Sequence, residues 1–307
     1  MGAYLSRRVL RALATIAGVV ALVFALIRLV PGDPVESLLG DQASPEDRAL
    51  MRERLHLDDA LPTQFARFVG DVLDGSLGIS FRTGDSVSSM IAEVLPETAL
   101  LALWAIVVAW AMALPLGILA ARFRGRAADR VASALAVAGL AIPNIWLGPL
   151  LILVFGVWLR WAPLPGDDQA GWAALVLPAI TLGTALAATL TRQTRGSLIE
   201  VLGQNYVLAA RARGLPTSRV MIQAFRNASF PVLTVGAAQL GAVLSGTVVV
   251  ETIFERRGLG TLFLDGFYAR DYPVVAGCAI VIAAIYVFVN LAIDVAYTGI
   301  DPRVRLA

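Results

Sequence analysis

Apolar residues run through this chain in unbroken stretches rather than at the spacing of a surface helix. Six stretches, at residues 9–30, 98–121, 131–158, 173–190, 231–250 and 274–297, suit membrane crossing. Each approaches or exceeds the roughly 20 apolar residues that a helix needs to span hydrocarbon. Backbone in lipid must satisfy its own hydrogen bonds, so the pattern predicts an all-α membrane protein with six transmembrane helices. Three polar segments punctuate it: 31–97 after the first stretch, 192–230 between the fourth and fifth, and 251–273 between the fifth and sixth. The whole of 1–307 reads as a single transmembrane domain.

Within 31–97, Ser44-Pro45-Glu46-Asp47 has the order of an N-cap, a proline at the first helical position and acids in the first turn. Thr63 is placed to cap a second helix whose Phe65, Phe68, Val69, Val72 and Leu73 recur at helical spacing. Gly75-Ser76-Leu77-Gly78 ends it, and Pro96 closes the region just before the second span. So short a segment buries little core unaided, which predicts a helical cap resting on the membrane helices or on a partner. Pro143 is expected to kink the third helix, because it deletes a backbone donor and clashes with the preceding turn. Pro178 sits in the fourth. In the fifth, Ala237, Gly241 and Ser245 recur every four residues, as do Ala238, Ala242 and Gly246. Such spacing permits close helix approach, either as ordinary packing within one subunit or as a movable seam along a pore.

Charge fixes the expected orientation. Arginines gather before the first span (Arg7, Arg8, Arg11), between the second and third (Arg122, Arg124, Arg126, Arg130), through 192–230, and at Arg303 and Arg305. With six spans all four groups fall on one side, which the positive-inside rule makes the cytoplasm, with both termini there. The acid-rich segment 31–97 then lies outside. The first apolar run is too long for a signal peptide and no small-residue cleavage site follows it, so it reads as a retained anchor.

Composition removes function classes. The chain of 307 residues is 58% hydrophobic and 16% charged, against roughly 25% charged in soluble domains. All 25 basic residues are arginine. A Walker A loop needs a lysine, and so does Schiff-base catalysis, so neither belongs to this chain. The single histidine, His56, stands beside Asp58 and Asp59 in a polar segment and reads as a solvated loop residue rather than a metal ligand. The single cysteine, Cys278, lies in an apolar run and reads as a small packing residue. No metal site and no catalytic residue are expected, and no nucleic-acid partner.

The segment 192–230 is the most informative. At its centre stands Asn205-Tyr206-Val207-Leu208-Ala209-Ala210-Arg211-Ala212-Arg213-Gly214-Leu215-Pro216. Alanine and arginine favour a helix over 206–213, Gly214 permits a left-handed cap, and Pro216 can start a second helix. Ala209, Ala210 and Ala212 offer a smooth face to another protein, with Arg211 and Arg213 free to pair with its acids. Contact with anionic lipid headgroups is the other reading of the same charges.

These residues resemble the cytoplasmic EAA-type loop of ABC-importer permeases, in the oligopeptide, dipeptide and nickel permease family. The resemblance covers nearly the whole chain. It runs through Pro31-Gly32-Asp33-Pro34, Gly75-Ser76-Leu77-Gly78-Ile79-Ser80, Pro143-Asn144-Ile145-Trp146 and Thr191-Arg192-Gln193-Thr194-Arg195. Beyond the loop it continues through Glu251-Thr252-Ile253-Phe254, Gly258-Leu259-Gly260, Arg270-Asp271-Tyr272-Pro273, Asn290-Leu291-Ala292-Ile293-Asp294 and Asp301-Pro302-Arg303-Val304-Arg305. The chain departs from the family at Asn205, where an acid is usual, at Leu208, where arginine is frequent, and at Arg256-Arg257. The stretch from Gly214 to Pro231 is also one residue short of the common pattern. Length and the large first external loop resemble the B-type permease subunit.

The resemblance implies a bacterial or archaeal plasma-membrane permease with no catalysis of its own. It would form half of a pathway for di- or oligopeptides, a nickel chelate or another small solute. Implied partners are a C-type permease subunit, two ATPase subunits carrying ATP and Mg, and an external substrate-binding protein. ATPase docking falls on Ala209, Ala210, Arg211, Arg213, Gly214, Leu215 and Arg219. Hydroxyl and amide groups at Asn144, Thr181, Thr184, Gln239, Ser245 and Thr247 are expected along the path. Glu251, Phe254, Gly258 and Gly260 are expected in an external re-entrant gate, 251–273. Asn290 and Asp294 share one helix face, as a structural contact near the cytoplasmic end or as substrate ligands. A stand-alone secondary transporter would instead show paired midplane charges or internal repeats, and neither is evident.

Overall fold

A computed structural model describes residues 2–29, 33–40 and 43–300. The expected motif positions Pro31, Gly32 and 301–305, the last residue of the first apolar run, and the side chain of Asp294 lie outside what is described. The described chain is helical, with one isolated antiparallel bridge, Ile79 to Ser86. Its α-helices are α1 (Gly2–Leu29), α2 (Pro34–Leu39), α3 (Pro45–Arg54), α4 (Leu61–Leu73), α5 (Val87–Arg122) and α6 (Ala127–Ala141). They continue as α7 (Asn144–Leu151), α8 (Val176–Leu202), α9 (Asn205–Ala212), α10 (Thr217–Ile253), α11 (Leu259–Tyr268) and α12 (Tyr272–Ile300).

Four helical segments, Ser6–Leu29, Val87–Arg122, Gly171–Leu202 and Tyr272–Ile293, are long and apolar enough to cross a membrane. Two bent pairs bring the number to six if each pair is one span: Ala127–Ala141 with Asn144–Trp158, and Thr217–Gly241 with Ser245–Ile253. The first pair turns by 104° at Ile142-Pro143, so the expected kink is a full break, and Ile152–Trp158 continues α7 as π-helix. The second pair turns by 61° within the small-residue repeat of α10. Apolar side chains such as Leu10, Leu13, Leu22 and Leu26 of α1 are left uncovered, as lipid-facing positions would be.

Two compact units are present, Met1–Thr98 with Arg257–Ala307, and Ala99–Arg256. In the first unit, α1 lies along α12 and touches α4, where Phe24 packs edge-on to Phe65 at 4.9 Å. Val87, Ile91, Leu259, Val274 and Cys278 form a buried cluster, which accounts for Cys278 as a packing residue. In the second unit, α8 is the central element, packed on α6, α7 and α10. Close approach there depends on missing side chains: a Cβ on Gly183 would fall 2.8 Å from the Ala105 carbonyl oxygen, and one on Gly236 2.2 Å from the Trp110 ring.

Helix boundaries depart from the expected ones in four places. Helix α5 starts at Val87 and runs through Pro96, so the second span does not wait for that proline; membrane helices tolerate proline because neighbours re-satisfy the freed backbone groups. Thr63 lies inside α4, whose N-cap is Ala60, with Pro62 in the first turn. Ser44 caps α3 as expected, accepting from the Asp47 N–H at 3.1 Å. The fourth span starts as a 3-10 segment, Asp168–Leu175, and its α-helix then runs on to Leu202. Because α8 continues past residue 192 and α10 begins at Thr217, most of the expected loop 192–230 is helix.

Candidate functional site: a capped helix between two long ones

Short apolar side chains fix α9 in place. Val207 and Ala210 face back onto Val220 of α10, with Leu202, Tyr206 and Leu215 around them. The Asn227 side chain on α10 donates to the Tyr206 hydroxyl at 2.8 Å. At the C-terminus of α9 the Leu215 N–H bonds the Ala210 carbonyl at 3.2 Å and the Gly214 N–H bonds the Arg211 carbonyl at 2.9 Å. That pair of bonds is a Schellman cap, and it requires the left-handed Gly214, at φ +77°. Leu215 then supplies the apolar contact that usually accompanies such a cap. The result is a short helix fastened to α10 through Tyr206, Val207 and Ala210 and capped at Gly214.

This geometry divides the expected docking residues. Ala209, Arg211, Arg213, Gly214 and Arg219 are exposed, and Leu215 is half-buried. Ala210 is only 2% exposed, so it cannot belong to a surface that a partner approaches; it holds α9 on α10. Leu208, noted from sequence only as a departure, is 55% exposed on the free side. An apolar residue one helical turn before Arg211 was the signal in the sequence.

A second feature was missed altogether. Asp129, in the first turn of α6, is 5% exposed and takes a two-pronged bond from Arg195 on α8: Nε to Oδ1 at 2.6 Å and Nη2 to Oδ2 at 3.0 Å. The Gly125 N–H adds a third bond at 2.8 Å. Paired N–H groups on a carboxylate make the strongest and most directional of protein ion pairs. It ties the turn between α5 and α6 to the polar continuation of α8. The one acid among Arg122, Arg124, Arg126 and Arg130 was the clue.

The expected path residues do not gather on one open face. Thr181 and Thr247 are buried, and the Thr181 hydroxyl donates to the Leu177 carbonyl of its own helix. Thr184 donates to the Ile180 carbonyl, and its methyl meets the site where Gly139 lacks a side chain. The Gln239 amide donates to the Leu186 carbonyl at 3.2 Å. Asn144 is half-buried at the start of α7, and Ser245 is exposed beside the bend in α10. Hydroxyls in apolar helices bond back to carbonyls one turn earlier, which a reading of residue types alone does not foresee.

The gate segment is more regular than expected. Glu251 is 1% exposed in the last turn of α10, and Phe254 caps the same helix within an apolar cluster. The Gly258 N–H donates to the Thr261 hydroxyl at 2.9 Å as α11 begins, and Gly260 is buried in its first turn. Two distant motifs meet in the first unit: Asp271 accepts from the Ser80 hydroxyl at 2.5 Å and from the Phe81 N–H at 3.1 Å. That clip holds the 75–86 turn at the start of α12. Asn290 bonds the Tyr286 carbonyl of its own helix.

Comparison with known proteins follows the same lines. The family described as a binding-protein-dependent transport system inner membrane component matches residues 113–306, and its N-terminal counterpart matches 1–102. The glutathione transport system permease protein of Salmonella paratyphi A is 37% identical over 303 residues, covering 98% of each chain. The di/tripeptide transport system permease protein of Pseudomonas aeruginosa is 37% identical over 333 residues, covering 99% of each. A probable peptide ABC transporter permease protein of Sinorhizobium fredii is 36% identical over 312 residues, covering 99% of this chain and 100% of its own. With its several apolar spans and its match along nearly the whole length, the chain belongs to the binding-protein-dependent transport system inner membrane components, as a multi-pass permease subunit of an ABC importer.

Proposed function

We propose that this chain forms one half of the translocation pathway for short peptides, driven by ATP hydrolysis on partner subunits. In this reading each bent helix pair is one span, giving six, with both termini and α9 in the cytoplasm and 31–97 outside. A related C-type permease supplies the other half, two ATPase subunits dock on the α9 side, and an external binding protein delivers the peptide. The observation that carries the reading is the Schellman-capped α9, stapled between two helices that run on from the apolar spans. A push on the capped helix is passed to α8 and α10 across short connections only, 203–204 and 213–216. Leu208, Ala209, Arg211, Arg213 and Arg219 form the face offered to the ATPase. The names of the relatives, glutathione and di/tripeptide among them, favour two- and three-residue cargo.

Vesicles holding the complete set of chains test this directly. A labelled di- or tripeptide is expected to accumulate only with ATP, ATPases and binding protein all present. Accumulation by this chain alone contradicts the proposal.

A further inference from the structure

The first unit contains a cavity of about 830 Å³ between the end of α1, the cap helices α3 and α4, the 77–81 turn and the start of α12. Its size falls within the roughly 300–1,000 Å³ of small-ligand sites. The walls are aromatic and apolar, with Phe24, Phe68, Phe81 and Tyr272 among them. Its charged lining can be paired off. Arg28 donates to the Phe24 carbonyl and the Gln64 amide oxygen. Arg52 bonds Asp33 and Asp58, and Arg67 and His56 both face Asp59. Two lining groups remain without a hydrogen bond or ion pair to any described residue, the Arg54 guanidinium and the Asp71 carboxylate.

A half-buried carboxylate with no donor is costly, and an ammonium group relieves that cost better than any neutral ligand. Burial, and then repulsion from Asp74, hold the Asp71 carboxyl above its ordinary range against a smaller pull from Arg67, which is itself bonded to Asp59. A half-buried carboxylate and an exposed guanidinium, both lining a cavity that also has aromatic side chains, suit a molecule with an amine, a carboxylate and an apolar body. We propose that this cavity is a holding site for a short peptide, with its amine on Asp71, its carboxylate on Arg54 and its side chains against the aromatic wall. The inference rests on the peptide-import reading and places a second peptide contact on the permease cap, apart from the binding protein and the path.

Calorimetry on the assembled transporter in nanodiscs, without binding protein, tests it with alanyl-phenylalanine, its N-acetyl form and its C-terminal amide. The free dipeptide is expected to bind, and each blocked form to bind about tenfold or more weakly, the loss expected for one charge-assisted bond. Asp71→Asn is expected to erase the penalty for acetylation and Arg54→Gln the penalty for amidation, each leaving the other penalty intact. Equal binding of blocked and free dipeptides, or unchanged discrimination in both variants, overturns the site. Normal ATP-driven uptake with no direct binding overturns the cavity alone. Direct binding without ATP-driven uptake overturns the import reading instead.

Discussion

Single side chains decide where the rigid points of this molecule lie. Asp129 has three N–H donors converging on it, and Arg195 supplies two. Asp129→Asn keeps the shape, removes the charge and leaves a cation facing an amide. The expected loss is about 2–3 kcal/mol, below the roughly 3–5 of a fully buried pair because part of Arg195 reaches solvent. A fall in the thermal midpoint of the purified protein measures it, and an unchanged midpoint counts against the strut. Exchanging the two residues is expected not to restore the midpoint, because the Gly125 N–H would then face a guanidinium. Asp71 and Asp74, three residues apart, shift in opposite directions. Burial and then repulsion from Asp74 push Asp71 up, against a smaller pull from Arg67, while bonds from Ser76 hold Asp74 down. Folded Asp71 keeps its proton to higher pH than the unfolded chain does. Its stabilising contribution is therefore complete at low pH and disappears as pH rises through the folded value. Asp71→Asn is expected to raise the midpoint at neutral pH, with the gain vanishing below the ordinary carboxylate range; a gain constant with pH contradicts this.

Among the elements, α9 separates what holds from what touches. Ala210→Glu places a charge among Val207, Val220 and Leu215 and is expected to unfasten the helix. Ala209→Glu sits on the exposed side and is expected to leave the fold intact while weakening ATPase retention. Limited proteolysis between α8 and α10 distinguishes them: faster cleavage in the first only is the expected result, and equal cleavage removes the distinction. The same helix shows what could be read from sequence. Gly214 and the alanine-arginine run foretold a capped helix, because those signals are local. The burial of Ala210 and the exposure of Leu208 depend on which side α10 covers, and no local signal carries that. Pro143 was legible as a kink and is a full break, whereas Pro96 misled, since the α5 helix continues through it. Neither proline differs in chemistry; the surrounding packing decides. Thr181 and Thr247 were assigned by residue type, and their hydroxyls turned out to be covered rather than open.

At the scale of the whole molecule, the proposed mechanism gives this chain no catalytic group of its own. Work must then arrive from outside the chain. In that proposal the mechanical route runs through α8 and α10, the helices that flank α9 and continue into the apolar segments. The most direct measurement replaces Leu208, Arg211 and Arg213 together by glutamate and follows ATPase co-purification alongside ATP-driven dipeptide uptake. The account predicts normal permease yield in the membrane, loss of the bound ATPase and loss of uptake. Retained ATPase with undiminished uptake would contradict it.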